Sequence, residues 1–238
     1  MISLRPSAER GFADHGWLLA RHSFSFAEYY DPAEMGWGAL RVINEDRVAP
    51  GTGFGTHGHL DMEIVTYILS GTLEHKDSLG HVGQIQRGEV QRMSAGKGIM
   101  HSEYNPSAEE ETHLLQIWIQ PAEKGTRASY EQQALPVDEM RGRWRLVASP
   151  DGAEGSTTIG QDARLYASVL EAGESAAFRP ATGRLVYVHV VRGRLSLNGL
   201  GLITGDGAKI ADEAELEFVA GEESEILLFD LPPLAEQA

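Results

Sequence analysis

The sequence predicts an all-β protein, folded as a sandwich or a barrel, and three observations carry that prediction. Short runs rich in β-branched and aromatic residues recur along the chain, each bounded by turn residues. Glycine supplies 27 of the 238 residues, above the usual share of about 7%, which indicates many tight turns. Asn198 and Gly199 stand between two apolar runs, a pattern typical of a two-residue β-hairpin.

Nine strands are predicted in chain order. In the first half they are residues 41–44, 61–69, 72–75 and 114–119; in the second half they are 143–147, 164–170, 185–191, 195–197 and 225–229. The stretch 121–141 is predicted as a linker, because 122–134 is polar and carries helix formers around 130–133. We therefore expect an N-terminal domain of residues 1–125 and a C-terminal domain of residues 126–238.

Composition excludes several classes of function. Lys and Arg number 20 against 35 Asp and Glu, a formal charge of −15, which disfavours binding to nucleic acid or to an anionic membrane. The absence of cysteine excludes disulfides, thiolate catalysis and iron–sulfur clusters. The first 16 residues are polar and charged, and no apolar run approaches the length of a membrane span. We expect a cytoplasmic protein.

A first group of candidate metal ligands follows the glycine-rich stretch 51–55. His57 and His59 are two residues apart, so on a strand their side chains share a face, and Glu63 has the same parity. Three convergent nitrogen and oxygen ligands suit iron, manganese, nickel, copper or zinc. Eight of the nine histidines lie between His15 and His113, which places any metal site in the first half.

A second group lies about forty residues further on. His101 and Glu103 also share a face if that segment is extended. Gly96 and Gly98 precede them and permit a sharp turn. Two His-containing pairs framed by glycines predict one shared metal site.

The two segments resemble the paired motifs of the cupin superfamily. Gly51 precedes His57 with the spacing of the first motif, and His101 precedes Asn105 by the three-residue gap of the second. The stretch from Met93 to Glu103 is most similar to the pirin family. The segments 10–17 and 22–26 resemble the bacterial pirin-like quercetinases.

The resemblance implies a bicupin, which is two cupin β-barrels packed together with short helices and a metal only in the first barrel. Carried over residue by residue, the ligands are His57, His59, His101 and Glu103. Glu63 is then a non-ligand group that hydrogen-bonds to a ligand histidine. The cofactor implied is one divalent cation per chain, with iron(II) favoured over nickel, copper, manganese or zinc.

The second half reads as a degenerate copy of the first. Residues 185–193 match 63–71 in pattern and length, and aligning the final glycines sets Arg179 opposite His57 and Ala181 opposite His59. The aligned positions thus carry no histidine, and His189 does not align with any of the ligand positions. We therefore expect no metal in the second barrel. In the first half we expect His75 and His81 on a surface hairpin.

The other aromatic and histidine residues receive structural interpretations. His113 is expected to be structural. His22, Phe24 and Phe26 alternate with serines, which predicts one shared face, either in the core or in a pocket wall.

Two classes of function fit these residues. The resemblance implies a metal-dependent dioxygenase that cleaves a flavonol such as quercetin with O2 and releases carbon monoxide, with Glu103 as the proton acceptor. The alternative is a non-enzymatic, metal- or redox-responsive regulatory protein of the pirin type, which implies a protein partner. A different cupin chemistry is a third option, because one fold hosts many reactions. For the enzyme we expect a monomer with a small aromatic substrate.

Overall fold

The computed structural model describes residues 1–233, and strands dominate both halves of the chain. The strands of the first half are β1 (Ile2–Arg5), β2 (Gly11–Asp14), β3 (Leu18–His22), β4 (Leu40–Val48), β5 (Gly53–His59), β6 (Glu63–Ser70), β7 (Thr72–Asp77), β8 (Val82–Gln86), β9 (Glu89–Ser94), β10 (Ile99–Tyr104), β11 (Thr112–Ile119) and β12 (Ser129–Ala134).

The second half continues the same pattern. Its strands are β13 (Arg145–Ser149), β14 (Thr157–Thr158), β15 (Arg164–Leu170), β16 (Ser175–Phe178), β17 (Leu185–Arg192), β18 (Arg194–Leu197), β19 (Leu200–Ile203), β20 (Gly207–Ala211), β21 (Leu216–Ala220) and β22 (Ser224–Leu231). The helical elements of residues 1–233 are three short 3-10 turns, Ser7–Glu9, Val137–Glu139 and Ala153–Gly155. None of the helices in that range is long and apolar enough to cross a membrane.

The all-β prediction is confirmed, and each of the nine predicted ranges overlaps an observed strand. Asn198 and Gly199 both have positive φ angles, 46° and 81°, between the paired strands β18 and β19. This is the backbone that a two-residue hairpin requires, and asparagine and glycine adopt it at low cost.

Each half forms a barrel from one seven-stranded and one four-stranded sheet. The first barrel has the orders β12-β9-β6-β11-β4-β3-β2 and β5-β10-β7-β8, and the second has β1-β20-β17-β22-β15-β13-β14 and β16-β21-β18-β19. The strands β6 and β17 occupy corresponding positions, as the alignment of residues 63–71 with 185–193 predicts. The expected pair of barrels is therefore present.

Two strands lie across the predicted domain boundary from the sheet that they join, since β1 falls in the predicted N-terminal domain and β12 in the predicted C-terminal domain. Strand β1 pairs with β20 in the second barrel, and β12 pairs with β9 in the first. The interpretation of 130–133 as helix formers within a linker was wrong, because the open edge of β9 supplies hydrogen-bond partners that outweigh local propensity. The division at residues 125 and 126 stays a prediction, and the pairing of β12 extends the first sheet beyond it.

The two seven-stranded sheets pack against each other through one apolar core. Alternate residues of β6, β11, β17 and β22 face this core. Examples are Tyr67, Leu115 and Ile117 from the first barrel and Tyr187 and Phe229 from the second, all buried. The central strands are thus buried on both faces, which fixes the two barrels as one packed unit.

The interiors of the two barrels differ. The inward faces of β17 and β22 carry Val186, Val188 and Leu228, which belong to a core that fills the second barrel with apolar side chains. The corresponding face of the first barrel carries buried polar residues, including Asn44 and Gln116. Among residues 1–233, every group of side chains with metal-ligand geometry lies in the first barrel.

The interface between the barrels also contains a buried carboxylate. Glu225 is fully buried and accepts hydrogen bonds from the Tyr67 hydroxyl at 2.6 Å, Arg87 at 2.6 Å and Arg192 at 3.1 Å. Burial acts to raise the pKa of Glu225, but the hydrogen bonds from Arg87 and Tyr67 outweigh it and hold the pKa below its ordinary value.

We predict that Glu225→Ala lowers the free energy of unfolding by about 3–5 kcal/mol at neutral pH, because two arginines and a hydroxyl lose their buried partner. Since the folded-state pKa is depressed, the contribution of Glu225 is present above its unfolded pKa and is lost as the pH falls through its folded value. The difference between wild type and variant should therefore shrink in acid. Urea denaturation at several pH values measures it.

Glu223→Ala is the matched control, because Glu223 pairs with the same Arg192 at an exposed position. Its loss of stability should be much smaller. Equal losses for the two variants would contradict the prediction.

Candidate metal centre

Strands β5 and β10 bring the four predicted ligand residues to one region of the first barrel. His57 and His59 lie on β5, and His101 and Glu103 lie on β10, which is its antiparallel neighbour. His57 is paired directly with His101, and the register shifts between His101 and Glu103. Such an irregularity re-aims side chains next to a site.

The turn before β10 depends on its glycines. Gly96 and Gly98 have φ angles of 46° and 128°. A Cβ atom on Gly96 would lie 2.3 Å from the carbonyl oxygen of Thr126, so only glycine fits there. The predicted sharp turn is thus confirmed, and it delivers His101 into the barrel.

Three imidazole nitrogens converge at the centre of this region. The Nε2 atom of His101 lies 2.8 Å from Nε2 of His59 and 3.0 Å from Nε2 of His57. Two nitrogens bound at right angles to one metal ion, each at about 2.1 Å, are about 3.0 Å apart. The spacing of the three residues therefore fits a single metal ion.

A hydrogen bond fixes the tautomer of His57, and burial disfavours the charged forms of His59 and His101. Nδ1 of His57 lies 2.8 Å from the carbonyl oxygen of Gly55 and donates its proton there, so Nε2 is a bare lone pair. Burial, followed by the effect of neighbouring histidines, lowers the pKa of His59 to about 4 and that of His101 to about 3. The imidazoles of His59 and His101 are thus neutral at neutral pH, which is the form that binds metals.

Glu103 stands beside this cluster and is buried. Both carboxylate oxygens accept hydrogen bonds from the side-chain amide of Gln116 at 2.8 Å. Burial raises the pKa of Glu103 to about 7, opposed in part by Gln116. Ligand atoms of Glu103, His101 and His75 lie within 4.8 Å of one another. Those of His57, His59 and His101 lie within the same distance of one another and form a second group. His101 thus links Glu103 to the other two histidines.

His75 is the residue that the sequence analysis misplaced. It was expected on a surface hairpin, but it is fully buried in β7 and its Nδ1 faces Nδ1 of His101 at 3.5 Å. A signal was present, because Leu73, His75 and Asp77 share one face of a strand. His81 does lie on the exposed side, as expected.

A chain of hydrogen bonds sets the tautomer of His101. Burial acts to raise the pKa of Asp77, but hydrogen bonds from His75 and His81 hold it below its ordinary value. The ionised Asp77 accepts from Nε2 of His75 at 3.1 Å, so Nδ1 of His75 is an acceptor, and Gln91 donates to it at 3.2 Å. His101 then carries its proton on Nδ1, and its Nε2 lone pair is free.

The seven-stranded sheet supplies the supporting groups from the opposite wall. Paired residues on five adjacent strands form one polar row, His22, Asn44, Gln116, Thr66 and Gln91. Gln116 from this row holds Glu103, and Gln91 holds His75. The supporting row and the ligand residues thus lie on facing sheets.

Glu63 does not contact the ligand histidines. The expectation of a hydrogen bond to one of them was wrong, because Glu63 opens β6 and accepts a hydrogen bond from the hydroxyl of Ser94 at 2.6 Å, next to the backbone of Gly160 in the second barrel. Burial raises the pKa of Glu63, opposed by the Ser94 hydrogen bond. Its role is a contact between the barrels.

A cavity of about 980 Å³ opens onto the histidine cluster. Trp17, Phe26, Phe54 and Trp118 line it together with the cluster, and Trp118 packs edge-on against His59 with ring centroids 4.9 Å apart. The size and the aromatic walls suit a flat organic ligand.

Of the remaining predictions, the one for the segment 22–26 is wrong in part and the one for His113 is confirmed. His22 and Phe26 line the cavity, whereas Phe24 packs against Tyr187 in the interface core. The expectation of one shared face was wrong, since β3 ends at His22 and the chain turns there. His113 is structural as expected, with Nε2 at 2.9 Å from Glu45.

Comparisons with known proteins agree with this architecture. The family model Pirin matches residues 4–119, and the model of a quercetinase C-terminal cupin domain matches residues 146–231. A quercetin 2,3-dioxygenase of Escherichia coli strain K12 is 51% identical over 234 residues, which is 98% of this chain and 100% of the relative. A pirin-like protein of Caulobacter vibrioides is 44% identical and covers 97% of this chain and 99% of its own length.

A solved structure extends the comparison to three dimensions. The crystal structure of the bacterial pirin YhhW from Escherichia coli, in complex with nickel(II), has a TM-score of 0.94 and 50% sequence identity. The match covers 98% of this chain and 100% of the other.

We predict that Asp77→Asn reverses the tautomer of His75. The Oδ1 atom of Asp77 accepts from the backbone N–H groups of Leu79 and His81, so an asparagine keeps its oxygen there and turns its amide N–H toward Nε2 of His75. His75 must then carry its proton on Nδ1. Long-range proton–nitrogen correlation spectra of the histidine side chains measure the change.

His81→Ala is the control for this prediction, because it removes the exposed partner of Asp77 and keeps the carboxylate. It should leave His75 as in the wild type. An unchanged His75 tautomer in Asp77→Asn would show that Asp77 does not set it.

Proposed function

The chain belongs to the pirin family, and from that premise we propose that it is a metal-dependent dioxygenase that cleaves a flavonol such as quercetin with O2 and releases carbon monoxide. The observation that carries the proposal is the convergence of three Nε2 atoms, with that of His101 lying 2.8 Å and 3.0 Å from the other two, at the end of an aromatic-walled cavity. The names of its relatives, quercetin 2,3-dioxygenases among them, support the reaction type.

His57, His59, His101 and Glu103 would hold one divalent cation. Iron(II) is favoured, and nickel, copper, manganese and zinc suit the same donors; the nickel(II) complex of a related pirin supports this chemistry. When bound, the cation supplies Lewis acidity that lowers the pKa of a coordinated substrate hydroxyl.

Glu103 is the group proposed to accept the proton of that hydroxyl. Its carboxyl is buried at the centre, and a carboxylate ligand that loosens as the substrate arrives is placed to take the proton. Gln116 orients it through two hydrogen bonds at 2.8 Å. The proton acceptor is thus held by the wall opposite its own strand.

The cavity walls are proposed to bind the substrate ring and to exclude water. Phe26 and Trp118 contact each other edge to face, with centroids 5.3 Å apart, and Trp118 contacts His59. A flat aromatic substrate inserted here lies beside the histidine cluster. The partners proposed are this substrate and O2, in a monomeric cytoplasmic protein.

The second candidate is a metal- or redox-responsive regulator that uses the same four residues. The charge of −15 favours a protein partner over DNA for such a role. Oxygen uptake separates the two functions, because only the enzyme consumes O2 with a flavonol.

We predict about one metal ion per chain after metal loading, measured by elemental analysis. His57→Ala and His101→Ala should each remove most of it, because two nitrogens of the cluster hold an ion poorly. His189→Ala should retain the metal, since His189 is buried in β17 of the second barrel and belongs to neither group of side chains with metal-ligand geometry in the described residues. Two tightly bound equivalents per chain would contradict the single site.

A further prediction separates the two buried glutamates. Glu103→Ala should weaken metal binding and abolish turnover, because it removes both a ligand and the proton acceptor. Glu63→Gln should change metal affinity by less than the about 10-fold typical of groups that orient ligands, since Glu63 contacts Ser94 instead. Competition with a chelator measures both affinities, and the reverse outcome would reject the ligand assignment.

The decisive assay supplies iron, nickel, copper and manganese in turn to metal-depleted protein. With quercetin, at least one loaded form should consume O2 and release carbon monoxide, and the metal-free form should do neither. An oxygen electrode and gas analysis measure the two. If each metal binds and none restores oxygen uptake, the dioxygenase proposal fails and the regulator replaces it.

A further inference from the structure

A buried acid on the cavity wall has no part in the metal centre. Asp46 lies in β4, is 4% exposed and lines the cavity. Its neighbours on the adjoining strands are Ala20 and Leu114, both apolar. It lies two residues further along β4 than Asn44, on the same face, and so next to the polar row that supports the ligand residues.

Asp46 lacks the partners that the other buried acids of this barrel have. Glu103 is held by Gln116, and Glu45 by Arg10 and His113. Within residues 1–233, the Oδ1 atom of Asp46 is buried without a hydrogen-bond partner. An unpartnered buried oxygen is costly and requires an explanation.

The nearby positive charge does not supply that partner. Arg10 donates instead to Glu45 and to the backbone oxygens of Arg21 and Gly205. Burial, followed by the charges of Glu103 and Glu45, raises the pKa of Asp46 to about 7. Whether protonated or ionised, the carboxyl keeps an oxygen that accepts a hydrogen bond from a hydroxyl donor.

The charge of the cavity restricts what that donor is. The described lining includes four acids, Asp14, Glu28, Asp46 and Glu103, and contains no lysine or arginine. Away from the metal centre, a ligand group that bears a carboxylate or a phosphate would find like charge and no basic side chain. A neutral ligand with hydroxyl groups finds acceptors.

We propose that Asp46 binds a hydroxyl group of the substrate that is remote from the metal centre, and so selects aromatic substrates with hydroxyls at two separated positions. The ligand histidines lie on the four-stranded sheet and Asp46 on the seven-stranded sheet. A substrate in the cavity therefore meets both walls. The inference rests on the proposed function, since it assigns one end of the substrate to the metal centre.

The test compares two flavonols that share the enol hydroxyl. Quercetin carries further hydroxyls on its rings, and 3-hydroxyflavone carries none. Binding to metal-loaded protein without oxygen is followed through the fluorescence of Trp17 and Trp118, which line the cavity. The ratio of the two dissociation constants isolates the contribution of the additional hydroxyls.

The wild type should prefer quercetin, and Asp46→Ala should reduce that preference by about 10-fold or more, as loss of a hydrogen bond to a charged group does. Asp46→Asn, which keeps the shape of the side chain, should reduce it in the same direction. Glu109→Gln is the matched control, because it removes an exposed charge from a surface turn outside the cavity lining, and it should leave the preference unchanged.

Thermal unfolding of the ligand-free variants provides a second measurement. Asp46→Asn should be at least as stable as the wild type, because the unpartnered carboxyl carries no structural bond. A large loss of stability in Asp46→Asn would assign Asp46 a structural role and overturn the proposal.

An unchanged preference in both Asp46 variants would overturn it as well, and so would a wild type that does not prefer quercetin. These outcomes are distinct from failure of the proposed function. A protein that binds quercetin through Asp46 without consuming O2 is not a flavonol dioxygenase, whereas one that consumes O2 with an unaltered preference in the variants does not use Asp46.

Discussion

The 3.0 Å separation between the Nε2 atoms of His57 and His101 is the constraint on which the first barrel depends. Both nitrogens face each other as bare lone pairs, because each ring has its proton on Nδ1, donated to Gly55 in one case and facing His75 in the other. Two acceptors this close repel unless a cation lies between them. The barrel therefore holds a geometry that suits a cation shared by the two nitrogens.

That geometry requires rigid support from both walls and from the second barrel. Gln91 and Gln116 reach across from the seven-stranded sheet, and the back of that sheet packs on the second barrel through a continuous apolar core. The second barrel is filled with apolar side chains. A dense apolar partner of this kind supports a neighbour whose own interior is polar and partly open.

The residues that sequence reasoning misjudged are those whose environment comes from a different strand. His75 looked like a hairpin residue, yet β10 covers it. Gln116 stands in an apolar run as a polar exception, which was a usable signal of a buried polar role. Residues 130–133 have helical propensity in isolation, and the edge of β9 draws them into a sheet. Whether a position along a strand is odd or even indicates the side of the sheet that its side chain occupies. Which other strand covers that side depends on pairing between segments distant in sequence.

By itself the sequence determined the all-β class, the nine strands, the hairpin at Asn198 and the shared face of each pair, His57 with His59 and His101 with Glu103, because alternation and turn chemistry are local. Tertiary structure alone decided the approach of the His101 Nε2 atom to within 3.0 Å of those of His57 and His59, the tautomer chain through Asp77, the contact of Glu63 with the second barrel and the isolation of Asp46. Each of these depends on register between strands distant in sequence. A shift of one residue in that register would turn every one of these side chains to the other face.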